Sequence, residues 1–152
     1  MSGAPDHLTL SRIESPIGPL ALACDKAGYL RGLSFEDGLI KAMRREYPGA
    51  AMAEGAAPEA VSGAVAGDGF QARVWRALAA VPAGQTIGYG EMARRAGEPG
   101  AAQAAGVALN RNPIPLVLAC HRVLGADGAM VGFGGGLERK TWLLRHEGAL
   151  LI

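Results

Sequence analysis

The chain has 152 residues, 49% hydrophobic and 19% charged, with a formal net charge of only +1. That length buries a real core, as one domain or two small ones. A balance so near neutral excludes attachment to nucleic acid through bulk charge, so any such binding has to come from a local positive stripe or from shape. No apolar run reaches the length of a membrane span, and no basic-then-apolar leader opens the chain. Cys24 and Cys120 lie far apart, so reduced thiols, a cytoplasmic location and no membrane partner are the expectation. Neither Cys nor His near Cys24 has metal-ligand spacing, and no metal or cofactor is expected.

Residues 1–6 carry no pattern and are expected to fray. Over 7–14 apolar and polar residues alternate through Leu8, Leu10 and Ile13; 20–24 and 29–35 read as two further strands. Ser15-Pro16-Ile17-Gly18-Pro19 and Asp25-Lys26-Ala27-Gly28 supply the turns of an antiparallel meander. Ile40, Met43, Arg44 and Tyr47 recur at helical spacing, which predicts a helix over 39–47 covering one face of it, stopped by Pro48-Gly49. Residues 49–68 are Ala- and Gly-rich without an apolar period. They read as a linker that divides a first domain, 1–66 with the linker, from a second, 67–152.

The second half reads as helical. Phe70, Val74, Trp75 and Leu78 form an amphipathic stripe, ended at Pro82-Ala83-Gly84. Thr86 marks an N-cap region for a helix over 89–95 that stops at Ala96-Gly97. Pro99 at an early helical position opens a third helix with 100–109 as its body. The pair has the outline of a helix-turn-helix. The third helix, which includes Ala102, Gln103 and Gly106, is made almost wholly of small residues. Such a helix suits close packing on a neighbour, and equally an outer face that approaches a narrow surface such as a DNA minor groove, about 6 Å wide.

Two prolines then lead through a short apolar run, 116–118, to Cys120 and His121. The run predicts a buried extended segment with a thiol and an imidazole at its mouth. A free cysteine, of pKa about 8.5, is only a few per cent thiolate at neutral pH. An imidazole that accepts its proton, itself held by a carboxylate, is the usual activating device. Adjacent side chains often diverge, so a water relays the proton in this scheme. A last helix, 137–147, anchored by Trp142, Leu143 and Leu144, brings Glu147 back as the carboxylate. A buried, inert cysteine beside a surface histidine is the competing reading. Between these elements Gly132-Phe133-Gly134-Gly135-Gly136 offers either a hairpin or a loop whose N–H groups and ring approach a ligand closely.

Together these pieces resemble the O6-alkylguanine-DNA alkyltransferases, the methylated-DNA–protein-cysteine methyltransferases. The resemblance runs through Phe70-Gln71-Ala72-Arg73-Val74-Trp75, Thr86-Ile87-Gly88-Tyr89, Asn112-Pro113-Ile114-Pro115 and Cys120-His121-Arg122-Val123. It closes on Gly135-Gly136-Leu137 through His146-Glu147-Gly148, and more loosely takes in Ser15-Pro16-Ile17-Gly18. It implies an α+β protein: a small ribonuclease-H-like α/β domain followed by a mostly helical, winged helix-turn-helix domain, acting as a monomer on DNA from the minor groove. Cys120 would accept the alkyl group of a flipped-out O6-alkylguanine, once per molecule, with His121 as base through water and Glu147 orienting it. Asn112 would brace the turn before the active-site loop, and Tyr89 would help expel the nucleotide and protonate the leaving guanine. The backbone at Cys120 and Val123 would read the exocyclic amine, and the Gly134 N–H would face O6. Gln103, Ala102, Gly106, Arg122 and Phe133 complete the implied DNA and substrate surface. Three positions depart from the family pattern: Ala119 for a proline, Gln103 for an arginine finger, and Phe133 for a tyrosine. Gln103 is the shorter, uncharged stack, so weaker base extrusion from duplex is the expectation. Alkyltransferase-like sensors, which bind the lesion but lack the cysteine, are the alternative class; a cysteine hydrolase acting on a carbonyl is a remoter one.

Overall fold

The computed structural model describes residues 4–35, 38–57, 62–63, 69–125, 128–130, 133 and 135–150. The chain divides into two compact units, Met1–Gly67 with Pro113–Val117, and Asp68–Asn112 with Leu118–Ile152. The first is a small α/β unit and the second is mostly helical, which is the α+β class expected.

In the first unit, β1 (His7–Ile13), β2 (Leu20–Cys24) and β3 (Tyr29–Ser34) form the predicted meander, with Thr9 opposite Cys24 and Leu22 opposite Leu33. The β2–β3 turn is closed by Asp25, whose carboxylate accepts the Tyr29 N–H and the Arg31 Nε–H, each at 2.9 Å. Gly28 takes the positive φ of 91° that this turn requires. The helix α1 (Leu39–Glu46) lays Leu39 and Met43, followed by Tyr47, onto Leu8 and Ala23. Contact is close because Gly32 has no side chain: a Cβ there would stand 2.5 Å from Met43 Sδ. Ile40, counted in the predicted stripe, is instead 46% exposed; the buried face runs through positions 39, 43 and 47.

The linker expected at 49–68 is corrected. It contains β4 (Ala51–Glu54), parallel to β1 from His7–Ala51 to Leu10–Glu54, and β5 (Ser62–Gly63), parallel to β3. The sheet order is β4-β1-β2-β3-β5. Both strands lie at the sheet edge, and β4 is largely exposed, so neither needs the apolar alternation by which a strand is recognised.

In the second unit, α2 (Phe70–Ala79) buries Val74, Trp75 and Leu78, each contributing on the order of 1.5–3 kcal/mol. The Trp75 Nε1–H donates to Ala108 O at 2.8 Å, tying α2 to α4 (Ala102–Asn110). The helix α3 (Tyr89–Arg95) is capped by Gly88, without any side-chain bond, and follows the short strand β6 (Ile87–Gly88). The N-cap expected near Thr86 is therefore displaced by two residues, because Ile87 is drawn into pairing with β7 (Val123–Leu124). The start of α4 is corrected as well. Gly100 has a φ of 87° and the Ala101 N–H closes a turn on Glu98 O, so Pro99 and Gly100 precede the helix.

The extended segment expected over 116–118 is a turn. Leu116 has a φ of 76°, the one positive φ of a residue other than glycine among the described residues, and Val117 is 38% exposed. Burial resumes at Leu118 and Ala119, leading into a 3-10 turn, Cys120–Arg122. The final helix α5 spans Leu137–His146, with Glu147 as its C-cap. Among the described residues no helix is long and apolar enough to cross a membrane.

Candidate active site

The second unit assembles the site from three directions. Parallel pairing of Ile87 with Val123 and Gly88 with Leu124 sets the first residue of α3, Tyr89, beside the turn that carries Cys120. Asn112, just past α4, donates from Nδ2 to Leu118 O at 2.7 Å, pinning the approach to the cysteine across the Leu116 turn. Glu147 arrives at the end of α5: His121 Nε2 lies 2.9 Å from its Oε2. The same carboxylate is held in a fork by Arg122, Nε to Oε1 at 3.0 Å and Nη2 to Oε2 at 2.7 Å, while Arg122 Nη1 donates to Val81 O at 2.6 Å. Planar bidentate contacts of this kind are among the stronger hydrogen bonds in proteins and fix orientation.

The electrostatics follow from burial and neighbours. Burial pushes the Cys120 thiol up, and four groups work against it: the Asn112 side chain, the charge of Lys140, and the backbone N–H groups of Cys120 and His121. His121 is 1% exposed. Burial holds its pKa below the ordinary value, more strongly than the Glu147 carboxylate raises it, with Arg122 and Lys140 adding to the lowering. The ring is therefore neutral at pH 7 and free to accept a proton. Its Nδ1 is buried without a protein partner among the described residues. Burial raises the Glu147 pKa, yet the hydrogen bonds from Arg122 and His121 outweigh it, and the carboxyl sits below its usual range. Burial, with the nearby Cys120 second, raises the Tyr89 phenol, which keeps its proton.

Cys120, His121 and Glu147, nominated by the residues themselves, and Tyr89 and Asn112, implied by the resemblance, thus come together. Phe133 meets His121 edge to face, with ring centroids 6.3 Å apart. Gly134 lies outside the described residues. On α4, Ala105, Ala108 and Leu109 face inward, while Gln103, Ala104, Val107 and Asn110 are exposed and Ala102 and Gly106 half-buried. The close-packing reading of the small-residue helix holds for its inner face, and a Cβ on Gly106 would sit 3.8 Å from the Tyr89 ring. Arg122, expected on the DNA surface, has its guanidinium committed to Glu147 and Val81. Those bonds depend on a carboxylate that returns 25 residues later in the chain, which no local pattern announces.

Lys140 also belongs to this cluster, without a role implied by the sequence motifs. Its side chain is fully buried, and Nζ donates to Val123 O at 2.6 Å. Burial lowers its pKa while Cys120 raises it. A signal was present: Lys140 stands three and four residues before Leu143 and Leu144, where the α5 stripe demands an apolar side chain. Among the described residues no cluster of three or more His, Cys, Asp or Glu is placed to hold a metal ion.

The sequence model of the 6-O-methylguanine DNA methyltransferase DNA-binding domain matches residues 69–149. The methylated-DNA–protein-cysteine methyltransferase of Shigella flexneri is 36% identical, over 96% of this chain and 99% of its own length. That of Mycobacterium leprae is 42% identical over 89% of each. The crystal structure of Mycobacterium tuberculosis OGT in complex with DNA superposes with a TM-score of 0.71 at 35% identity, covering 94% of this chain and 93% of that one. With sequence and fold both matched along nearly the whole length, the chain belongs to the methylated-DNA–protein-cysteine methyltransferase family.

Proposed function

We propose that this protein repairs DNA by direct reversal, moving the alkyl group of an O6-alkylguanine onto Cys120 in a single turnover. The observation that carries the reading is the buried array around one sulfur: Asn112, Lys140 and two backbone N–H groups against the thiol, and a neutral His121 braced by Glu147 and Arg122. His121 takes the thiol proton, through a water at Nδ1, and the ionised Glu147 stabilises the imidazolium that results. The thiolate attacks the sp³ alkyl carbon in line. The C–S bond forms as the C–O bond breaks, and the bonding pair leaves with the purine. Tyr89, still protonated, donates to the departing base and is reprotonated from His121 through solvent. The thioether is inert to water, so the molecule acts once.

Residues 67–152 carry this chemistry in our reading, with the exposed face of α4 in the minor groove and the target base flipped out at a cost of a few kcal/mol. Val123 presents its carbonyl to the exocyclic amine of the guanine, and Gly134 its N–H to O6. The protein acts as a monomer in the cytoplasm, where its two free thiols stay reduced.

The test is intact mass after incubation with an oligonucleotide carrying O6-methylguanine. One methyl group is expected on the peptide containing Cys120, and none in Cys120→Ala. A gel shift on lesion DNA without methyl transfer would identify a sensor instead. On α4, Gln103→Arg is expected to raise the single-turnover rate on duplex about tenfold and leave the rate on single strands unchanged, because an arginine fills the stack left by the flipped base. An unchanged duplex rate would mean that Gln103 is not the residue in the gap.

A further inference from the structure

A lysine with no exposed surface is costly unless its charge is matched. Lys140 projects from the first turns of α5, and its Nζ donates to the carbonyl of Val123 at 2.6 Å, a short, charge-assisted bond. Val123 is itself buried and lies in β7, paired with Ile87 of β6, so its backbone is held in place. A carbonyl oxygen has two lone pairs. Lys140 occupies one, which leaves the other directed by the lysine's position.

The geometry points to Lys140 as a specificity-positioning residue, which orients the Val123 carbonyl for the exocyclic amine of guanine and so discriminates guanine from purines that lack that amine. This rests on the proposed function, which assigns the carbonyl to that amine. It differs from a purely electrostatic part for Lys140 at the Cys120 sulfur. A charge near the thiolate speeds transfer from every O6-alkylpurine alike, whereas an oriented carbonyl favours only the base that has a hydrogen to give.

The experiment compares single-turnover methyl transfer from two oligonucleotides, one with O6-methylguanine and one with O6-methylhypoxanthine, which has no exocyclic amine. Wild-type protein is expected to prefer the guanine about tenfold, the effect of one buried hydrogen bond. In Lys140→Met both rates fall by a common factor as the thiolate loses its cation, and the guanine rate falls about tenfold further, so that the preference disappears. A variant that is slower on both substrates with the preference intact would overturn the proposal. Transfer from neither substrate by wild-type protein would instead remove the function on which it rests.

Because Lys140→Met removes the partner of a carbonyl on a buried residue, its fold is checked by cooperative melting. A second measurement leaves Lys140 in place. In Cys120→Ser protein labelled with 15N-lysine, the Lys140 Nζ resonance is expected to move on binding the O6-methylguanine oligonucleotide and to stay put on binding the hypoxanthine analogue. Equal movement with both would overturn the assignment, as would none with either when both are shown to bind.

Discussion

Replacing Glu147 by glutamine is expected to slow methyl transfer by about a hundredfold, the lower end of what a positioned acid–base pair contributes. Glutamine keeps the shape but not the charge that His121 Nε2 and the Arg122 fork share. The His121 ring then loses the neighbour that raises its pKa, while burial, Arg122 and Lys140 go on lowering it, so it becomes a poorer base for a thiol that burial has pushed up. Leaving Arg122 without a carboxylate costs roughly 2 kcal/mol as well, less than the loss of a fully buried pair because the amide oxygen still accepts one bond. Single-turnover rates across pH measure the first effect, and denaturant melts the second.

The same substitution alters the acid limb of stability. The folded pKa of Glu147 lies below the ordinary 4.5, so its contribution is present above that pH and is lost as pH falls through the folded value. His121 works in the same direction. Its folded pKa lies below 6.5, so between those values the unfolded chain binds a proton that the native state refuses. Wild-type protein should lose stability from pH 6.5 downward and again below 4.5. Glu147→Gln should keep the first loss and lack the second. A wild-type melting temperature flat from pH 7 to 4 would contradict both assignments.

The second large effect concerns the scaffold. Trp75→Ala is expected to destabilise the protein by about 4 kcal/mol, as for large aromatic truncations in cores, lowering the melting temperature by roughly 10–15 °C. The indole is 3% exposed and carries the hydrogen bond that joins α2 to α4. Trp75→Phe keeps most of the volume and should cost only about 1–2 kcal/mol. The orphaned Ala108 carbonyl still accepts the Arg111 N–H at 3.2 Å at the end of α4, which limits that loss. Equal melting temperatures for the two variants would show that packing, not the indole N–H, is irrelevant at this position, contrary to the burial seen. Because α4 is the helix assigned to the groove, Trp75→Ala should also weaken DNA binding in proportion to its unfolded fraction.

What the sequence determined by itself were the features that one element can encode alone. The stripe Phe70, Val74, Trp75, Leu78 dictates which face of α2 is buried, the alternation through Leu8 and Leu10 and the turns at 15–19 and 25–28 dictate the meander, and Cys120-His121 with a carboxylate at 147 nominates the chemistry. Tertiary structure decided whatever needed a distant partner. The strands β4 and β5 exist because β1 and β3 offer them unpaired backbone groups, a fact absent from the Ala- and Gly-rich stretch that forms them. The Leu116 turn is imposed by Asn112 holding Leu118 from across it, against the extended habit of the local residues. Arg122 and Lys140 look like surface cations in a linear chain. They become parts of the site only where α5 brings Glu147 within reach of Arg122 and carries Lys140 to the Val123 carbonyl, because a buried charge takes its role from whatever neutralises it, and sequence spacing does not record that neighbour.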